Sequence, residues 1–400
     1  MALSPVEADR WEPAGIPALT YRSDLGLGLG ILGATTRFRS DCQPFCWRAL
    51  VLLQGVFRLD PEGLVVPTRN AIVFVDVPRW TRPEWRLMVA AADYDEQEVG
   101  YSGIGTRGRF GASAPVETYR WHRRLAGFKL RQRLRGEALA KTGFTDAYVG
   151  TEFGWNQLQF TADSKLALDA RADSNDDSDD AAFLSRQIGV LSDHADGLIN
   201  GGIIIDRRDH EFTPQRGSIH ELSARLGRAG GQGVWGNIFV ESAGFWSLMP
   251  NRLVLAARGL VDHVVGPIPL YRRSEMSGLI PSQGIAGAEG VRGLPAYGEM
   301  GKTKLLFNGE LRLRLLDHRL VRQRLSWRAV FFSDVGRAFT DLHDSGVGRR
   351  ALDGRWWHFL WGLGAGVRLR WGEAFVLRLD GAVSPLENSK GVYFGADHLF

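Results

Sequence analysis

Hydrophobic and polar residues alternate with a period of two along most of the chain, most regularly in its second half. In the stretch ending at Val335, the odd positions Trp327, Ala329, Phe331 and Val335 are mainly apolar, while the even ones include Ser326, Arg328 and Asp334. Leu363, Ala365, Val367, Leu369 and Trp371 alternate with Arg368 and Arg370, and Phe375, Leu377, Leu379 and Val383 with Arg378 and Asp380. The same rhythm runs through Leu253–Asp262 and Glu221–Leu226. Period two belongs to the extended strand, whose successive side chains point to opposite faces. The arginine-rich segment Tyr119–Ala140 is read as strand as well.

A solvated antiparallel sheet also alternates, so the composition of the two faces decides the environment. One face is rich in Leu, Val, Phe and Trp; the other carries charges of both signs, as a water-filled lumen would. Arginine on a lipid face costs about 2–4 kcal/mol at the bilayer midplane. Backbone groups in hydrocarbon must all pair, which requires a closed barrel without edges. The predicted fold is therefore all-β: a closed antiparallel transmembrane β-barrel over residues 21–400, preceded by a short segment, 1–20. Arg368, Arg370, Arg378 and Asp380 fall on its lumen face.

Composition agrees with that reading. No window of 18 uninterrupted apolar residues is present, and mean hydropathy is −0.15, which excludes an ordinary transmembrane helix but not a barrel. The 400 residues include 49 Gly and 13 Trp. A net charge of +4 with dispersed basic residues lacks the stripe and docking element that nucleic-acid binding needs. Cys42 and Cys46 are either a disulfide closing a small loop or two free thiols; CxxxC is neither a redox nor a zinc spacing. No signal peptide is evident at the start.

Chemical motifs fail on inspection. Ala296–Thr303, AYGEMGKT, fits a relaxed phosphate-loop pattern, but the next stretch, KLLFNGELRLRLL, has period two rather than a helix to face a phosphate. The acidic run Asp173–Asp180 lacks the Gly and Glu of a calcium loop and reads as a solvated connection. No nucleophile elbow or metalloprotease helix occurs, so no enzyme, cofactor or metal is expected.

Four motifs in sequence order resemble one family, the outer-membrane assembly and translocation barrels typified by BamA, TamA and the two-partner secretion translocators. Val291-Arg292-Gly293, in the long connection Arg272–Lys302, resembles the family's VRGF/Y motif, with Leu294 in place of the aromatic. Phe332-Ser333-Asp334-Val335-Gly336 resembles F-x-D-x-G. Asp206-Arg207-Arg208-Asp209 followed by Pro214-Gln215-Arg216-Gly217 resembles the family's D-x-R-D…P-x-x-G hairpin. The ending, with Tyr393, Gly395 and Phe400, is similar to its terminal insertion signal, although His398 departs from the pattern. The resemblance implies sixteen strands, five of them after the Arg292 loop, and a loop folded back into the lumen. It pairs Arg292 with Asp334, which alternation independently places on the inward face.

The same resemblance implies a non-enzymatic barrel that inserts or translocates polypeptides at the bacterial outer membrane. Its partners would be outer-membrane lipids and polypeptide substrates or a periplasmic protein. A seam would open between a first strand near Arg22–Phe38 and the last, Gly391–Phe400. Glycines 26, 28, 30 and 33 fit either a thin seam strand or simple accommodation of curvature. Residues 1–20 are too few for a polypeptide-transport-associated domain, so the chain is read as barrel-only. The alternative is a passive pore or structural barrel, made anion-favouring by Arg368, Arg370 and Arg378.

Overall fold

The computed structural model describes residues 10–396 except 23–25, 40–41, 62, 102, 106–116, 137–142, 172–184, 211–212, 283, 297–298, 321–322, 344–351 and 372–374. Sixteen strands form one closed barrel. The first eight are β1 (Arg10–Arg22), β2 (Gly26–Arg39), β3 (Cys42–Asp60), β4 (Gly63–Pro78), β5 (Trp85–Tyr101), β6 (Glu117–Gly136), β7 (Phe144–Gln159) and β8 (His194–Asp206). The rest are β9 (Gly217–Ala229), β10 (Val234–Met249), β11 (Leu253–Val265), β12 (Thr303–Leu320), β13 (Gln323–Phe339), β14 (Leu360–Trp371), β15 (Phe375–Ser384) and β16 (Ser389–Ala396). Each pairs antiparallel with its neighbours in sequence, and β1 closes the cylinder on β16.

The two faces separate as the alternation requires. On β12, Phe307 and Leu311 are exposed on the outside, while Lys304, Leu306, Asn308, Glu310 and Arg312 are buried toward the interior. Exposed apolar side chains recur around the outer wall, among them Ile31, Leu53, Phe153, Ile199, Leu222, Val240, Phe331 and Leu379. This band faces lipid, so its apolar side chains need no protein cover. Thr303 opens a strand, so no helix comes after the phosphate-loop-like stretch. The segment read as strand from Tyr119 onward is β6, 20 residues long.

Closure is uneven. β1 pairs with β2 at every position from Arg10 to Arg22, but among the described residues it pairs with β16 at Tyr21↔Phe394 and Arg22↔Tyr393. The first strand is thus Arg10–Arg22, not the Arg22–Phe38 region read from the sequence, which is β2. Pro13 and Pro17 disguised it, because proline normally argues against a strand. It is tolerated on a strand that, among the described residues, carries few ladder bonds along one edge.

Short and long connections do not sort to opposite ends of the barrel. In a consecutive meander, the turns at 61–62 and 230–233 share an end with the long loops 266–302 and 340–359. The long connection 207–216 lies at the other end, with the β14–β15 turn. Parity of strand order, rather than loop length, sets the side.

Cys46 is disulfide-bonded; the side chain of Cys42 lies outside the described residues. The acidic run Asp173–Asp180 and Phe400 also lie outside them. A closed hydrogen-bonded cylinder resists detergent until heated. The protein is expected to migrate at different positions on a gel before and after boiling, and identical mobility would contradict the closed barrel.

Candidate functional site

The loop 266–302 leaves β11, enters the barrel and returns to β12. Pro269 precedes a short helix, Leu270–Ser274, whose residues are all buried. Two bridges, Met276↔Ser282 and Ala286↔Val291, hold the rest in a compact shape. Met276, Ile285, Ala286, Val291 and Leu294 pack with Phe239, Leu260, Leu306 and Leu360 on the interior wall. An apolar seat of this kind explains why the loop lies inside rather than in solvent.

Arg292 stands at the loop's tip with no exposed side-chain surface. Its Nε and Nη2 donate to Asp334 Oδ2 and Oδ1 at 2.7 and 2.9 Å, a bidentate pair. Its backbone N–H adds a third bond to Asp334 Oδ2 at 3.1 Å. Nη1 donates to Glu310 Oε1 at 2.9 Å and Asp380 Oδ2 at 3.1 Å. Asn308 Nδ2 donates to Asp334 Oδ1 at 2.8 Å, and the Arg292 guanidinium lies 3.4 Å from the centroid of Phe332. One loop cation is thereby tied to β12, β13 and β15. Burial works against its charge, but the hydrogen bond and charge of Asp334, with Glu310 and Asp380, outweigh it and hold Arg292 above the usual arginine range.

The neighbours of Arg292 fit the contact sterically. Gly293 has φ +98°, and a Cβ there would come within 2.8 Å of the Val383 backbone on β15. On β14, a Cβ at Gly362 would stand 2.1 Å from the Arg292 carbonyl oxygen. Val291 packs over Gly336. Tyr393 points inward from β16: its hydroxyl accepts from Gly293 N–H at 3.0 Å and donates to Leu294 O at 3.2 Å. Gly395, two residues on, lies on the same strand.

A second clamp at the loop's base was not identified in the sequence. Arg272 Nη2 meets Asp196 Oδ2 at 2.6 Å and Glu152 Oε1 at 2.8 Å, and its Nη1 meets Glu275 at 3.1 Å. Arg123, from β6, bridges Glu152 and Glu275 at 2.6 and 2.9 Å. Tyr271 stacks on Trp121 and on His194, with ring centroids 5.0 and 5.7 Å apart. The available signal was the run LYRRSE, too polar for a buried segment unless its charges find partners inside.

The other lumen arginines take different places. Arg368 pairs with Asp380, and Arg378 approaches the same carboxylate at 3.8 Å. Arg370 Nη1 reaches Thr213 Oγ1, in the β8–β9 connection, at 3.4 Å. That connection is built by its own motif. Asp206 accepts from Arg208 at 2.7 Å, and Asp209 Oδ1 accepts the backbone N–H of Gln215 at 2.9 Å. Pro214 is buried, and Gly217 has φ +101° against the Arg207 carbonyl. The hairpin residues thus shape a turn at the end opposite the Arg292 loop and do not join its site.

A sixteen-stranded barrel with an apolar outer belt and a buried, arginine-clamped loop defines a transmembrane barrel of the bacterial outer membrane. The model of the Omp85 superfamily domain matches residues 78–396, and the chain belongs to that superfamily. Among solved structures it is similar to CdiB from Escherichia coli, with 13% identity and TM-score 0.57 over 99% of this chain and 64% of that one. It is also similar to CdiB from Acinetobacter baumannii, with 12% identity and TM-score 0.52 over 98% and 60%. The chain spans less than two thirds of the length of either protein. No curated protein sequence matches it.

Removing one partner of a buried ion pair costs about 3–5 kcal/mol, because the survivor stays buried. Arg292→Ala and Asp334→Ala are each expected to destabilise the barrel: the first leaves Asp334 buried without its guanidinium, while Glu310 and Asp380 keep Arg312 and Arg368, and the second leaves Arg292 sharing those two carboxylates. In a double-mutant cycle by thermal unfolding in detergent, the two losses should be non-additive by more than about 1 kcal/mol. Additive losses would show that the contact does not carry the coupling.

Proposed function

We propose that this barrel inserts or translocates polypeptides at the outer membrane without covalent chemistry, passing them by an opening of the β1–β16 seam. The observation that carries the reading is the seam itself. It pairs at two positions among the described residues, while β1 and β2 pair along all of β1. Ladder hydrogen bonds are the main cohesion between strands in lipid, so the barrel opens at lowest cost where they are fewest. The Arg292 and Arg272 clamps support the same reading by fixing the loop to the walls on either side of the lumen. Its partners are then outer-membrane lipids and a polypeptide substrate, delivered directly or by a periplasmic protein.

The passive, anion-favouring pore is supported less well. The loop's helix Leu270–Ser274 and its residues Met276, Ile285, Val291 and Leu294 are buried against the interior wall, which stands against a freely open channel.

The paired substitutions Tyr21→Cys and Phe394→Cys, at register partners, provide the test in a background carrying Cys42→Ala and Cys46→Ala. Oxidative cross-linking is expected to lower the level of at least one outer-membrane or secreted protein in cells depleted of the native chain. Reduction should restore it. Unchanged protein levels in the cross-linked state, with the barrel folded, would overturn the role of the seam.

A further inference from the structure

Four arginines stand at one level on four adjacent strands and face the interior. Arg314 on β12 is the register partner of Arg328 on β13, Arg328 of Arg368 on β14, and Arg368 of Arg378 on β15. Like charges directly opposite on one sheet face repel, so a row of this kind needs compensation.

The described residues compensate it only in part. Arg314 is half-exposed and pairs with Asp317. Arg368 has Asp380, with Glu310 at 3.5 Å. Arg378 has only the 3.8 Å approach to Asp380, a carboxylate already engaged by Arg292 and Arg368. Arg328 is 8% exposed and has no hydrogen-bond or ion-pair partner among the described residues. Among the described residues, the neighbouring charges of Arg312, Arg370 and Arg314 repel its own. The buried Nε atoms of Arg328, Arg368 and Arg378 all lack an acceptor.

Around this row, Arg292, Arg312, Arg328, Arg368 and Arg378 face Glu310, Asp334 and Asp380. Among the described residues, guanidiniums outnumber carboxylates in this shielded space. An unpaired buried charge is costly, and a guanidinium's donors match the oxygens of an oxyanion two at a time. The row ends on β16 at Gly395, the partner of Arg378, where a Cβ would meet no atom of the described residues within 4 Å. We propose that Arg328, Arg368 and Arg378 form a binding site for a phosphate-class dianion, distinct from the Arg292 lock. It faces the interior near the turn end of β12–β15, beside the seam strand. The phosphate belongs either to a soluble ion or to a lipid headgroup reaching the site from that end.

Thermal unfolding of the whole barrel in a non-ionic detergent tests this at constant ionic strength, with chloride exchanged for inorganic phosphate or for dihexanoyl phosphatidic acid. Phosphate should raise Tm saturably where chloride does not. Arg328→Gln should be more stable than wild type without phosphate, since repulsion is relieved, and should lose the phosphate response. Stabilisation by both compounds assigns the site to phosphate itself, and stabilisation by the lipid alone assigns it to a headgroup. If neither compound acts, or Arg328→Gln keeps the wild-type response, the site is refuted. Arg314→Gln, the exposed and compensated member of the row, serves as the control and should keep the response.

Discussion

A peptide group has no water to bond with inside a bilayer, and that single deficit governs this molecule. Every strand must find two neighbours, so sixteen strands wrap until the first meets the last. Once the sheet is closed, the pleat divides side chains between lipid and interior. Charged residues then collect inside, in a space too confined to hydrate them all fully. The arginine clamps result from that confinement. A guanidinium shielded from water is stable only among carboxylates, and the loop delivers Arg272 and Arg292 to the walls where such groups converge.

The loop therefore serves as an internal core, combining an apolar seat with charged groups that reach the wall. Its two clamps stand on different walls: Arg272 on β7 and β8, Arg292 on β12, β13 and β15. Between them the chain is stiffened by two bridges and seated on Phe239, Leu260 and Leu306. Movement of the loop as one body would break both clusters together, whereas movement of its tip alone would break only the Arg292 set.

Much of this was legible in the sequence because a barrel writes its geometry directly as period-two alternation. Asp334 could be placed on the inward face from its neighbours Phe331 and Val335 alone. Arg292 could be singled out only by resemblance, since nothing local distinguishes it from a solvated loop residue. The Arg272 clamp escaped because its partners, Glu152 and Asp196, lie far away in sequence and obey no spacing rule. β1 escaped because its prolines mimic a leader to the barrel. The side of each connection is not legible from its length, since length is a matter of local sequence, while the end a loop occupies is set by counting strands.

Tyr393 joins two parts of the molecule that are otherwise described separately. It belongs to β16, the last strand, and one hydroxyl bonds both Gly293 and Leu294 at the loop tip. Displacing Tyr393 with β16 therefore strains these loop contacts, and releasing the loop removes one hold on β16, which stays laddered to β15. By thermodynamic reciprocity, whatever lowers the cost of one event lowers the cost of the other by the same amount. The barrel wall and the chain inside it are thus two ends of a single lever, with a phenol as the pivot.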